Sequence, residues 1–227
     1  LRTLFLVCGF SLKKIALFFL FLLPLQGAQD PILDKPMEGG HLPLGLWQEF
    51  SKAWPKNRTI TIVFHGHSVP AGYHRTPEVK PFESYPHLVI RGLKERYPYA
   101  VLNGTVTAIG GEGSGQGCRR FSRDVLSLRP DLIFLDYALN DRRRPLEEAC
   151  QAWLDMIRQA QMLEIPIILL TPTGSEDADW QDPRDPLNLL ADMIRELGRD
   201  MGVPVADVFA AWKEELRKGT PQKELLS

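Results

Sequence analysis

Ile60–Gly72, ITIVFHGHSVPAG, decides the fold. An apolar, β-branched run ends abruptly at Gly66-His67-Ser68, which places a serine hydroxyl just beyond a strand, with a glycine two residues before it. In open α/β sheets the edge outside the carboxyl ends of the strands is where ligands bind. A serine there is either a nucleophile or an ordinary Gly/Ser turn residue. The rest of the chain bears on that choice.

Outward from this stretch, strand-like and helix-like patterns alternate. LWQEFSKAW (46–54) carries apolar residues at helical spacing and is expected to cap the sheet. Strand-like runs follow at 59–64, 100–109, 131–138, 166–172 and 203–208, with helix-like runs near 83–96, 116–128, 145–164, 185–201 and 208–218. Strands separated by helices predict an α/β fold, a three-layer, doubly wound, five-stranded and mostly parallel sheet. Right-handed crossovers put helices on both faces, and the flavodoxin-like order 2-1-3-4-5 is the simplest. The polar segment TGSEDADWQDPRDP (173–186) is expected as a long loop at the same edge as Ser68.

The 227 residues suit one sizeable domain, and 44% hydrophobic with 24% charged residues is ordinary globular composition. A net charge of −1 with no basic tract argues against a nucleic-acid partner. At the N-terminus, Lys13-Lys14 precede the apolar run 15–25, and Gln26-Gly27-Ala28 offers small residues for cleavage. This reads as a secretory signal over 1–28, followed by a Pro/Gly-rich lead-in and capping helix over 29–58 and the main domain over 59–227. The run is short of the ~20 residues of a membrane span, although residues 1–12 are also apolar and leave an uncleaved anchor open. With the signal removed, no stable membrane association is expected. Cys118 and Cys150 would remain, either paired by a disulfide or as two separate buried thiols.

In the 2-1-3-4-5 order the first strand lies between the second and third, so their carboxyl ends are neighbours. Ser68 follows strand one, Gly110-Gly111 follow strand two and Asn140 follows strand three. Acyl transfer needs such a set: a nucleophile, and N–H donors aimed at the oxygen that turns negative. A glycine lets backbone approach a ligand closely, and a neutral amide donates without titrating.

These segments resemble the SGNH, or GDSL-type, hydrolase superfamily. Its G-D-S-x-x-x-G block is matched by Gly66-His67-Ser68-Val69-Pro70-Ala71-Gly72, and its second-block glycine by Gly111, with Gly110 one residue out of register. Its G-x-N-D block is matched by Ala138-Leu139-Asn140-Asp141. The resemblance implies Ser68 as nucleophile, with the Ser68 N–H, the Gly111 N–H and the Asn140 amide as the oxyanion hole. No metal or organic cofactor is implied. His67 replaces the usual aspartate and Ala138 the usual glycine. Pro70 stands where a G-x-S-x-G elbow would need glycine, which argues against the α/β-hydrolase turn.

The general base is the gap. The family carries D-x-x-H near its C-terminus, yet the five histidines here lie at 41, 65, 67, 74 and 87. The resemblance therefore implies a fragment cut short of its catalytic Asp and His, the alternative being a complete chain that has lost activity. Adjacent side chains diverge, which argues against His67 as the base. His65 and His67, two apart on a strand, are expected on one side, with His74 able to join them. No further ligand follows at a metal-site spacing, so a hydrogen-bonded histidine lining the pocket is the preferred reading. Arg142-Arg143-Arg144 read as a solvated turn paired with Glu147 and Glu148, or as contacts to an anionic substrate. The functional expectation is a secreted or periplasmic serine esterase hydrolysing a small-molecule or carbohydrate ester, with an acylated carbohydrate favoured. A lipase or thioesterase of the same mechanism, or an inactive scaffold that binds a ligand, are the alternatives.

Overall fold

Side chains alternate across the sheet with period two, and this places the layers. Ile60, Ile62 and Phe64 of strand β1 (Thr59–Gly66) enter one core, while Val63 enters the other. Leu132 and Phe134 of β3 (Leu132–Asp136) join the first core, and Ile133 and Leu135 the second. Ile168 and Leu170 of β4 (Ile167–Leu170) repeat the pattern against Ile167 and Leu169. Strands buried on both faces need helices on both faces.

The computed structural model describes residues 40–74 and 76–225; the expected signal segment lies outside the described residues. The five strands include β2 (Val101–Val106) and β5 (Val205–Ala206) and lie in the order β2-β1-β3-β4-β5, every pairing parallel. This is the expected doubly wound, flavodoxin-like arrangement.

Helices α1 (Leu44–Ser51) and α3 (Tyr85–Arg96) cover the first core through Leu46, Phe50, Tyr85, Val89 and Leu93. α1 is the expected capping helix, begun two residues earlier. The second core takes α4 (Ser114–Asp124), α6 (Leu146–Met162) and α7 (Pro186–Met201), with Phe121, Trp153, Met156 and Ile194 buried against the strands. Between these lie two one-turn helices, α2 (Ser68–Ala71) and α5 (Ala138–Asp141), each starting within two residues of a strand's carboxyl end. α8 (Val208–Arg217) follows β5. Its Phe209 and Trp212, with Leu187, make a satellite core at the loop 171–185. That loop has neither helix nor strand, as the polar segment predicts.

Cys118 on α4 and Cys150 on α6 are free thiols, each half-buried against the second core, and burial pushes both thiols above their ordinary value. Among the described residues no helix is long and apolar enough to cross a membrane.

Candidate active site

The nucleophile turn is built by close approach of two strands. Gly66 pairs in register with Asp136, and a Cβ on Gly66 would lie 2.3 Å from the Asp136 carbonyl oxygen. Any larger residue would push β1 from β3 where the site begins. Beyond Gly66 the chain leaves the strand, and α2 opens at Ser68. The His67 ring caps it, with Nδ1 accepting the Val69 N–H at 3.2 Å. Gly72 then ends α2 in the left-handed conformation, with φ +88°.

The structure brings the three sequence-predicted residues to one edge. The Gly111 turn follows β2, where the Glu112 N–H returns to the Ile109 carbonyl at 3.3 Å. Gly111 has φ +82° and open space where a Cβ would stand, so glycine is required by conformation. Gly110 is confined instead, with the Tyr73 ring 3.0 Å from an added Cβ. Among the described residues neither the Ser68 N–H nor the Gly111 N–H donates a backbone hydrogen bond. Asn140 lies on α5, and its Nδ2 donates to the Glu112 carbonyl at 2.8 Å. An amide carries two N–H donors, so the second remains for a ligand.

The loop that holds Asn140 is anchored by buried polar groups that the sequence reading missed. Arg120, only 8% exposed, donates to Glu112 Oε2 (2.7 Å), to the Thr107 carbonyl (2.6 Å) and to the Tyr137 hydroxyl (3.0 Å). Asp141, next to Asn140, accepts from the Ser114 N–H (2.8 Å) and from Trp153 Nε1 (2.9 Å). A carboxylate buried with both oxygens satisfied fixes α5 against α4 and α6.

Three sequence expectations are corrected. His65 and His67 do not share a side. His65 Nδ1 is 2.8 Å from Thr107 Oγ1, and Nε2 is 3.2 Å from the Gly117 carbonyl and 3.1 Å from the Tyr137 hydroxyl, on the α4 side. His67 lies with Asp136 and Tyr85, because β1 ends at Gly66 and strand alternation ends with it. Nor do the adjacent side chains of His67 and Ser68 diverge. The helical turn brings His67 Nδ1 to 3.4 Å from Ser68 Oγ. Arg142 and Arg144 pair with other groups than Glu147 and Glu148: Arg142 with the Leu139 carbonyl and Asp177, and Arg144 with Gln116 Oε1 at 2.7 Å.

Burial, reinforced by the Arg120 charge, lowers the His65 imidazole to about 4. Burial first, and then Asp136, push the Tyr85 phenol well above its ordinary value. Among the described residues no three His, Cys, Asp or Glu side chains are grouped to hold a metal ion.

The family model for the GDSL-like lipase/acylhydrolase family matches residues 64–225, well over half of the chain. The chain belongs to this family and is an SGNH-type serine ester hydrolase. Solved structures agree in fold. A crystal structure of an acetylxylan esterase from Geobacillus stearothermophilus is 20% identical, with 70% of this chain and 80% of that chain covered and a TM-score of 0.60. A lipase/acylhydrolase from Enterococcus faecalis is 21% identical over 67% of this chain and 77% of that chain, with a TM-score of 0.56. A two-domain esterase active on acetylated mannans, co-crystallised with mannopentaose, is 20% identical over 73% of this chain and 42% of its own, with a TM-score of 0.59. No curated protein sequence matches the chain.

Proposed function

We propose that the protein is a secreted or periplasmic esterase that removes acyl groups from an acylated carbohydrate, with Ser68 as its nucleophile. Ser68 Oγ attacks the acyl carbonyl carbon and loses its proton to a base. The tetrahedral oxyanion is held by the Ser68 N–H, the Gly111 N–H and the free Asn140 N–H. Collapse expels the alcohol, and water then hydrolyses the acyl-enzyme. The observation that carries this reading is the convergence of Ser68, Gly111 and Asn140 at three adjacent strand ends, with donors left over at each. His41, His65, His67, His74 and His87 all precede β2, and His65 is enclosed by its hydrogen bonds. In this reading the histidine of the family's D-x-x-H pattern, which is none of these five, takes the proton. In this scheme 59–227 is the catalytic domain and 1–28 the export signal.

Two observations favour a carbohydrate over a lipid. Tyr73, 37% exposed, sets an aromatic face beside Gly110 at the rim of the oxyanion turn, a surface suited to a pyranose ring. Two of the similar folds are esterases of acetylated xylan and mannan. The leader segment is consistent with a substrate outside the cytoplasm.

A serine-directed organophosphonate should label wild-type, full-length protein at Ser68. Ser68→Ala should stay folded, lose the label and lose turnover of a small acetyl ester. Labelling that survives in Ser68→Ala identifies another nucleophile and overturns the assignment.

A further inference from the structure

Directly behind Ser68 lies a buried polar cluster that the acyl-transfer scheme does not use: His67, 1% exposed, and Asp136, 4% exposed, with Tyr85 against the same carboxyl group. We propose that His67, held by Asp136, is the positioning residue for the Ser68 hydroxyl. In this role a neutral imidazole stands where the G-D-S block has a carboxylate. The proposal rests on Ser68 being the nucleophile.

The hydrogen bonds assign the ring. A backbone N–H can only donate, so the Val69 N–H bond makes His67 Nδ1 an acceptor and confines the ring proton to Nε2. Nε2 lies 3.2 Å from Asp136 Oδ1, a charge contact whose angle does not make a hydrogen bond, and it has no hydrogen-bond partner among the described residues. Ser68 Oγ, at 3.4 Å from the proton-free Nδ1, can only donate to it. The hydroxyl hydrogen is thereby drawn toward the ring, and one oxygen lone pair is left toward the open edge between Gly111 and Asn140. Moving the ring proton to Nδ1 would set it against the Val69 N–H. Asp136 opposes that tautomer, since a carboxylate beside Nε2 favours the proton there.

The same geometry makes His67 and Asp136 compatible in one pocket. Restoring an aspartate at position 67 alone would place two carboxylates in one buried pocket, where like charges cannot both remain ionised cheaply. Changing both residues removes the conflict. An aspartate at 67 can cap Val69, as an N-cap carboxylate does, while an asparagine at 136 carries no charge.

The test uses full-length protein in five forms: wild type, His67→Ala, Asp136→Asn, His67→Asp and His67→Asp with Asp136→Asn. Each is assayed below its melting temperature for the rate constant of organophosphonate labelling at Ser68, and for kcat and KM on a small acetyl ester. Misplacing a reacting group costs rate rather than ground-state binding, so His67→Ala should slow labelling and kcat about ten- to a hundred-fold with KM nearly unchanged. His67→Asp should be as slow, and the double variant should return to within about three-fold of wild type. Asp136→Asn, a change of nearly constant size, should slow both rates with little effect on melting and stands in if His67→Ala does not fold. Unchanged rates in His67→Ala, or in Asp136→Asn should His67→Ala not fold, would reduce His67 to a structural cap and overturn the proposal. A folded double variant as slow as His67→Ala would also overturn it, because the imidazole itself would then be required. Failure of the nucleophile assignment is separable: the wild type would then carry no adduct on Ser68.

Discussion

His65 and His67 stand two residues apart and belong to opposite faces of the sheet. His65 is enclosed by Thr107, Gly117 and Tyr137 in a network that continues through Arg120 to Glu112, whose carbonyl seats Asn140. His67 caps α2, touches Ser68 and rests on Asp136. One histidine thus underlies the oxyanion side of the site, and the other underlies the nucleophile. The difference comes from a single backbone event. β1 keeps its alternation up to Gly66, where it meets Asp136, and the next residue already belongs to a helical cap. A functional pair at a strand end can therefore be split between two faces of the protein.

The largest expected effect lies on the oxyanion side. Asn140→Ala removes one fixed donor, a loss that typically costs about 10²–10³ in kcat. The change should fall on kcat and kcat/KM together, as for an interaction made only in the transition state. Steady-state kinetics on a small acetyl ester checks this. A rise in KM with kcat intact would mean that Asn140 serves ground-state binding, and the two sides would differ less than the geometry suggests.

Acid should separate the two histidines next. The folded His65 imidazole sits at about 4 against an ordinary 6.5, with burial as the main cause and Arg120 second. The folded state therefore binds fewer protons than the unfolded chain between these values. Stability from this group is complete above pH 6.5 and is lost as pH falls toward about 4, by about 3 kcal/mol in total. Urea midpoints measured from pH 7 to pH 4 should fall, and His65→Gln should flatten the part of that fall due to this ring. An equal slope in His65→Gln would show that other groups carry the acid sensitivity.

The alternation of apolar residues in β1, β3 and β4 is what made the fold legible, since each strand is short, buried on both faces and followed by a helix. The convergence of Ser68, Gly110-Gly111 and Asn140 at one edge was legible because strand order makes those positions neighbours, while the family resemblance supplied the choice of Gly111 and the roles. The choice of Gly111 over Gly110 has a geometric counterpart: one residue has φ +82° and open space, the other lies under Tyr73. What stayed hidden depends on tertiary contacts. Asp136 lies inside the strand-like run 131–138 and was given no role, although a carboxylate at the end of an otherwise apolar strand was itself a signal. Arg120 lies among the charges of a polar helix, where nothing in the sequence singles it out, yet it is buried against Tyr137 and Glu112. The direction of His67 depended on the residue at which β1 stops, which periodicity leaves open by one or two positions.

The smallest effect expected is at the rim, where Tyr73 bridges to Val79 and lays its ring over Gly110. The ring is part exposed and outside the buried cores, so Tyr73→Ala should leave folding almost unchanged. If a sugar stacks there, the loss is one aromatic contact, about 1 kcal/mol, or a rise of about five-fold in KM for an acetylated xylooligosaccharide. Such a contact is made equally before and during reaction, so kcat should hold. A small acetyl ester has no sugar to place and should be turned over as by wild type, while Tyr73→Phe should keep the oligosaccharide KM. Equal loss on both esters would carry a different meaning. It would show that the ring acts through Gly110 on the oxyanion turn, tying the rim to the His65 side of the site instead of to substrate choice.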